Sequence, residues 1–161
     1  MKKLELQKCI VGSVYTNCYF LKNKETGELL IVDPGDEAKR IKKFIEDQEL
    51  HPVAILLTHG HFDHVMAVDS VRAAYHIPVY AAEAEKETMH DASINLSINM
   101  GGAMLSIEAD HWLKDGETIT LLDQEVRCIL TPGHTVGGMC FYFPKAGMLF
   151  SGDTLFQESV G

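Results

Sequence analysis

Several things are scarce in this chain of 161 residues, and each scarcity removes a class of protein. Lysine and arginine number 14 against 23 aspartates and glutamates, for a net charge of −9. Phosphate backbones are held by clustered Lys and Arg. No basic run occurs, so neither nucleic acid nor an anionic membrane surface is an expected partner. No stretch approaches the roughly 20 apolar residues of a bilayer span. The opening residues, Met1 to Val11, carry lysines and then alternate polar and apolar side chains. They lack the long apolar segment of a secretory leader, read as a first strand, and give a cytoplasmic expectation. The four cysteines, Cys9, Cys18, Cys128 and Cys140, form no C-x-x-C pair, which argues against a zinc knuckle or a thioredoxin-like site. Cys128 and Cys140 read as ordinary buried thiols.

What is present suits one globular domain. The hydrophobic fraction is 46% and the charged fraction 23%, close to the soluble average, and the length fits the usual domain of about 100–200 residues. The first third reads as strands at KLELQKCIV, NCYFLKN and ELLIVDPG, with a hairpin loop at Lys24 to Gly27. Pro34 and Gly35 end the third strand. Asp36 is placed to cap a helix from Glu37 to about Leu50, whose apolar residues Ala38, Ile41, Phe44 and Ile45 recur at helical spacing. VAILLT follows as a strand buried on both faces. DHVMAVDSVRAAYH then reads as one helix opening at Asp63, and IPVYAA as a short strand. The segment from Glu83 to Asp110 starts helical and becomes a polar loop containing Gly101 and Gly102. The last third returns to strands at ETITLL, EVRCILTPG, GGMCFYFP and GMLFSGD. Two packed sheets with helices outside would cover all the apolar faces.

Chemistry concentrates in LLTHGHFDHV, residues 56–65. His59 and His61 stand at i and i+2, where extended backbone points both imidazoles the same way. Asp63 and His64 follow where the chain turns into a helix. Imidazole and carboxylate together suit borderline divalent ions such as zinc, iron or manganese. Two further stretches share the design of a polar residue on a sharp turn after an apolar strand. They are ILTPGHT, with His134, and MLFSGDT, with Asp153.

THGHFDH, TPGHT and SGDTLF, in that order, resemble the metallo-β-lactamase superfamily, and within it the glyoxalase II-like, hydroxyacylglutathione hydrolase-type branch. The resemblance runs from Tyr15 to Gly161, and VDPG extends it by putting Asp33 at the family's buried acidic position. It implies an α+β fold, a four-layer αβ/βα sandwich, with a dinuclear site at one edge. The chain would be a single metallo-hydrolase domain over residues 1–161 whose C-terminal part is missing. By match to the motifs, His59, His61 and His134 would hold one zinc, and Asp63 and His64 would contribute to a second, with iron or manganese as alternatives. Asp153 would bridge the two ions, and Asp63 and Asp153 are the carboxylates given catalytic roles. Thr58, Asp33 and Ser151 are candidates for hydrogen bonds that orient the ligands. The family's further histidine has no counterpart, because no His follows His134 before the chain ends at FQESVG. The second site would then have Asp63, His64 and Asp153. His51, His76, His90 and His111 lie outside the motifs and read as surface or structural residues.

The function implied is hydrolysis of a small thioester or ester by a metal-bound hydroxide, since metal binding lowers a water's pKa from 15.7 toward about 7. A thiolate leaving group would need no strong protein acid. An iron-dependent persulfide dioxygenase-like enzyme, a lactonase and an inactive truncated metal-binding domain stand as alternatives. The expected partner is a small-molecule substrate, and the oligomeric state is left open.

Overall fold

The computed structural model describes residues 4–12, 16–95, 106–133, 135 and 137–151, together with the backbone of 157–158. Alternating apolar residues build two sheets. The first has the spatial order β1 (Leu4–Val11), β2 (Thr16–Asn23), β3 (Glu28–Val32), β4 (His51–Leu56), β5 (Val79–Ala82) and β6 (His111–Leu113). Its first three strands are antiparallel neighbours, and β3 through β6 run parallel. The second sheet is antiparallel: β7 (Thr118–Leu121), β8 (Gln124–Leu130), β9 (Met139–Phe143), β10 (Met148–Phe150) and the two-residue β11 (Gln157–Glu158).

Parallel neighbours need crossovers, and helices supply them. They are α1 (Ala38–Asp47), α2 (Phe62–Val65), α3 (Val68–Tyr75) and α4 (Lys86–His90), the last preceded by a 3-10 turn at Glu83–Glu85. Strand β3 shows why the layers form. Leu29, Leu30, Ile31 and Val32 are all fully buried, which a half-exposed strand would not allow. Leu29 and Ile31 join Ile41, Ile45, Val68 and Val71 under the helices. Leu30 and Val32 join Val126, Phe141, Phe143 and Phe150 between the sheets. The sheets are pinned by aromatic edges, with Tyr19 of β2 5.5 Å from Phe150 and Phe150 5.7 Å from Phe143. Burying a side chain of this size is worth about 1.5–3 kcal/mol, so the inter-sheet layer is a principal source of stability. The two facing sheets of the expected four-layer αβ/βα sandwich are therefore present, with the helix layer of the first. Among the described residues the helices cover the first sheet, while Thr118, Thr120, Arg127 and Ile129 leave the outer face of the second exposed. Among them, too, no helix is long and apolar enough to cross a membrane.

Three details differ from the sequence reading. The helix expected from Asp63 through His76 is two helices, because its ladder is interrupted. The Met66 amide donates to the Gly35 carbonyl and the Ala67 amide to the Pro34 carbonyl, at 3.1 and 3.0 Å, so these amides are taken by the turn after β3. Asp36 does not cap α1 in the usual way. Its carboxylate accepts from the adjacent Glu37 amide, and Glu37, at φ 56°, is the N-cap. Strand β6 was not read, its three residues being too few to show a period.

Candidate metal centre

The site grows from the carboxyl ends of β3 and β4, where open parallel sheets commonly bind ligands. Beyond Val32 the chain turns sharply: Asp33 adopts φ 53° while its amide still bonds the Leu56 carbonyl at 3.0 Å. That left-handed conformation costs a non-glycine residue about 1–2 kcal/mol. Three polar contacts offset it. Oδ1 of Asp33 accepts the Thr58 amide at 2.8 Å, Oδ2 accepts the Thr58 hydroxyl at 2.6 Å, and Oδ2 lies 2.8 Å from Nδ1 of His64. The Asp33 and His64 side chains are almost fully buried, at 2% and 3% exposure. Proximity depends on Gly35, where a Cβ would fall 1.8 Å from the Asp63 carbonyl oxygen.

These bonds fix the ligand rings. With its Nδ1 proton on Asp33, His64 presents Nε2 as a donor, and that atom lies 3.5 Å from Oδ2 of Asp63. The same Asp63 oxygen accepts the Thr16 hydroxyl at 2.9 Å. Because the Thr58 hydroxyl gives its proton to Asp33, its oxygen is left to accept from Nδ1 of His59 at 3.3 Å, which makes Nε2 of His59 the nitrogen that could take a metal. The His59 ring centre lies 4.1 Å from that of His64 and 5.1 Å from that of His61. Ligand atoms of His59, Asp63 and His64 all lie within 4.8 Å of one another. Two imidazole nitrogens and a carboxylate oxygen form a donor set that fits zinc or iron, and two of the three residues are buried. Among the described residues no Lys or Arg ion pair reaches Asp33 or Asp63; Asp33 is compensated by Thr58 and His64, and Asp63 accepts the Thr16 hydroxyl.

The structure thus brings together His59, Asp63 and His64, with half-buried His61 beside them. The expected ligands His134 and Asp153 lie outside the described residues. Thr58 and Asp33 make the orienting contacts anticipated for them. Sequence reading overlooked Thr16, whose hydroxyl holds Asp63, and the buried carboxylate of Glu85, which accepts the Gly60 amide at 2.6 Å and the Gly137 amide at 2.9 Å. Ala82, Glu85, Thr88 and Met89 are the buried positions of that stretch. No local sequence signal marks Glu85, since it sits in the acidic run EAEKE. His51, His76, His90 and His111 are all exposed, as expected.

This architecture agrees with that of the chain's relatives. The model of the metallo-beta-lactamase superfamily matches residues 11–161, and the chain belongs to that superfamily. It is 39% identical over 152 residues to Probable metallo-hydrolase YqgX of Bacillus subtilis (strain 168), an alignment covering 94% of this chain and 71% of that protein. It is 32% identical over 148 residues to Probable polyketide biosynthesis zinc-dependent hydrolase PksB of the same strain, covering 91% of this chain and 59% of PksB. Among solved structures, BLEG-1 B3 metallo-beta-lactamase superposes with a TM-score of 0.87 at 38% identity, covering 98% of this chain and 76% of that one. TTHA1623 in a di-iron-bound form gives 0.78 at 31% identity, covering 96% and 75%.

Proposed function

We propose that this protein is a metal-dependent hydrolase that cleaves a small thioester or ester. The observation that carries the proposal is the convergence of His59, Asp63 and His64, with Asp33 turning His64 toward the shared centre. The relatives named metallo-hydrolase and zinc-dependent hydrolase support the reaction type. A divalent ion held by these residues supplies Lewis-acid polarisation of an acyl carbonyl and a water acidified toward neutral pH. The chain's own part is to orient the donors. Asp33 fixes the His64 tautomer, Thr58 relays the same carboxylate to His59, and Thr16 holds the Asp63 oxygen that faces His64. On this reading His59 would hold one ion together with His61 and His134, Asp63 and His64 would hold a second beside it, and Asp153 would contribute to both. The thioester preference follows the glyoxalase II-like character of the motifs and the absence of any need for a strong acid when a thiolate departs.

The names of the relatives do not single out that branch, and the superposition on a B3 metallo-beta-lactamase favours a second reading, β-lactam hydrolysis. The zinc-loaded chain assayed against a thioester, a lactone and a β-lactam separates them. Thioester turnover lost in His59→Ala and His64→Ala supports the first reading. Turnover of the β-lactam alone supports the second, and thioester turnover retained by both variants rules out the site assignment.

A further inference from the structure

Glu85 is a carboxylate to which the metal reading gives no task. It closes the turn Glu83–Glu85 between β5 and α4 and is 1% exposed, while Glu83 and Glu87 face solvent. A buried carboxylate must be compensated by charge or hydrogen bonds, and among the described residues no Lys or Arg ion pair reaches it. Its compensation is backbone: Oε2 accepts the Gly60 N–H at 2.6 Å and Oε1 the Gly137 N–H at 2.9 Å. These amides sit in loops attached to strands of different sheets. Gly60 lies between His59 and His61 beyond the end of β4, and Gly137 lies three residues past His134 at the entry to β9. The approach is close by construction, since a Cβ on Gly137 would fall 2.3 Å from the Glu85 nitrogen and 2.4 Å from the Ala84 carbonyl carbon. A second bond joins the same two segments, the Met139 amide donating to the Thr58 carbonyl at 2.8 Å.

We propose that Glu85 is a positioning residue for the metal centre. Its carboxylate clamps the histidine turn after β4 to the segment entering β9, so that the donors of that turn are held rigidly against the second sheet. The consequence for metal binding rests on the hydrolase reading above; the clamp itself does not. Glu85 acts through backbone, its two oxygens accepting the Gly60 and Gly137 amides. Only a carboxylate accepts at both of its terminal atoms. Glu85→Gln keeps one acceptor and sets an NH2 group against the other amide, whereas Glu85→Asp keeps both acceptors one methylene short.

The test compares the metal-free wild-type chain with Glu85→Gln and Glu85→Asp by residue-resolved hydrogen exchange, and then measures zinc affinity by chelator competition. In Glu85→Gln, exchange at Gly60 and Gly137 is expected to quicken by about tenfold or more, with the amides of α1 and of the β1–β2 pair unchanged. Zinc affinity is expected to fall about 10–100-fold, as for other residues that support metal ligands, with Glu85→Asp losing less of both. A purely structural role would quicken exchange everywhere alike. That result, unchanged exchange at either glycine, or zinc affinity within about twofold of wild type would overturn the proposal. Should Glu85→Gln fail to fold, the same comparison in Glu85→Asp decides. A wild-type chain that binds no zinc sinks the hydrolase reading, and exchange at the two glycines then judges the clamp by itself.

Discussion

Two sets of histidines in this chain differ in everything except chemistry. His51, His76, His90 and His111 stand on exposed backbone. His76 ends α3 in a left-handed conformation, His90 pairs with Glu108 at 2.9 Å, and His111 stacks on Tyr80 at 4.5 Å between ring centres. Neither His90 nor His111 shares a buried carboxylate. His59 and His64 are 4% and 2% exposed and share one carboxylate system, Asp33 with Thr58. The lesson is that an imidazole becomes a ligand candidate through what fixes its other nitrogen. In the buried set Nδ1 is occupied and Nε2 is turned inward; in the exposed set solvent competes for both.

That contrast can be broken most severely at Asp33. Asp33→Ala leaves the Thr58 amide, the Thr58 hydroxyl and His64 Nδ1 without their buried acceptor. Losing one member of such a pair costs about 3–5 kcal/mol, so chemical denaturation should show a loss of that order together with loss of bound zinc. Asp33→Asn separates the two effects. Its one remaining oxygen keeps either the Thr58 amide or the Thr58 hydroxyl with His64 Nδ1, but not all three, and zinc affinity by chelator competition should fall about 10–100-fold. Thr16→Val removes one partly buried hydroxyl from Asp63. A lost hydrogen bond to a charged group is worth about 1.5–3 kcal/mol, and partial exposure moves the expectation to the low end, roughly tenfold in zinc affinity.

The thiols extend the contrast between buried and accessible groups. Burial pushes the Cys128 thiol up to about 11 and raises that of Cys18 well above the ordinary range. Both pKa values are raised on folding, so the neutral thiols' stabilising contribution is intact below about 8.5. For Cys128 it is lost as pH climbs through about 11. Native alkylation at pH 8, read by mass spectrometry, should label half-buried Cys9 first and leave Cys18 and Cys128 untouched until the protein unfolds. The smallest effect belongs to the exposed histidines. His51→Ala and His111→Ala should stay within about 0.5 kcal/mol of wild-type stability with unchanged zinc affinity.

Much of this was legible where one short pattern carries one physical cause. The run Val53 to Leu57 announces a doubly buried strand, and Pro34–Gly35 announces the turn that stops β3. The cluster from His59 to His64 could be read as a donor set because its residues are adjacent in sequence. What sequence concealed depends on contacts across the fold. The split between α2 and α3 comes from carbonyls of Pro34 and Gly35, about thirty residues upstream, which no local helical pattern reports. Thr16 looks like an ordinary strand-end residue until β2 is set beside α2. Glu85 hides in the acidic run EAEKE, where Glu83 and Glu87 are the solvated face such runs usually form.

The central claim is that His59, Asp63 and His64 are ligands of one shared divalent-metal centre. The most direct measurement is zinc content per chain after equilibration with zinc and removal of the excess, in wild type and in folded His59→Ala, Asp63→Ala and His64→Ala variants. The account predicts stoichiometric zinc in the wild-type chain and a marked loss in each variant. A wild-type chain that retains no zinc, or variants that retain as much as wild type, would contradict it.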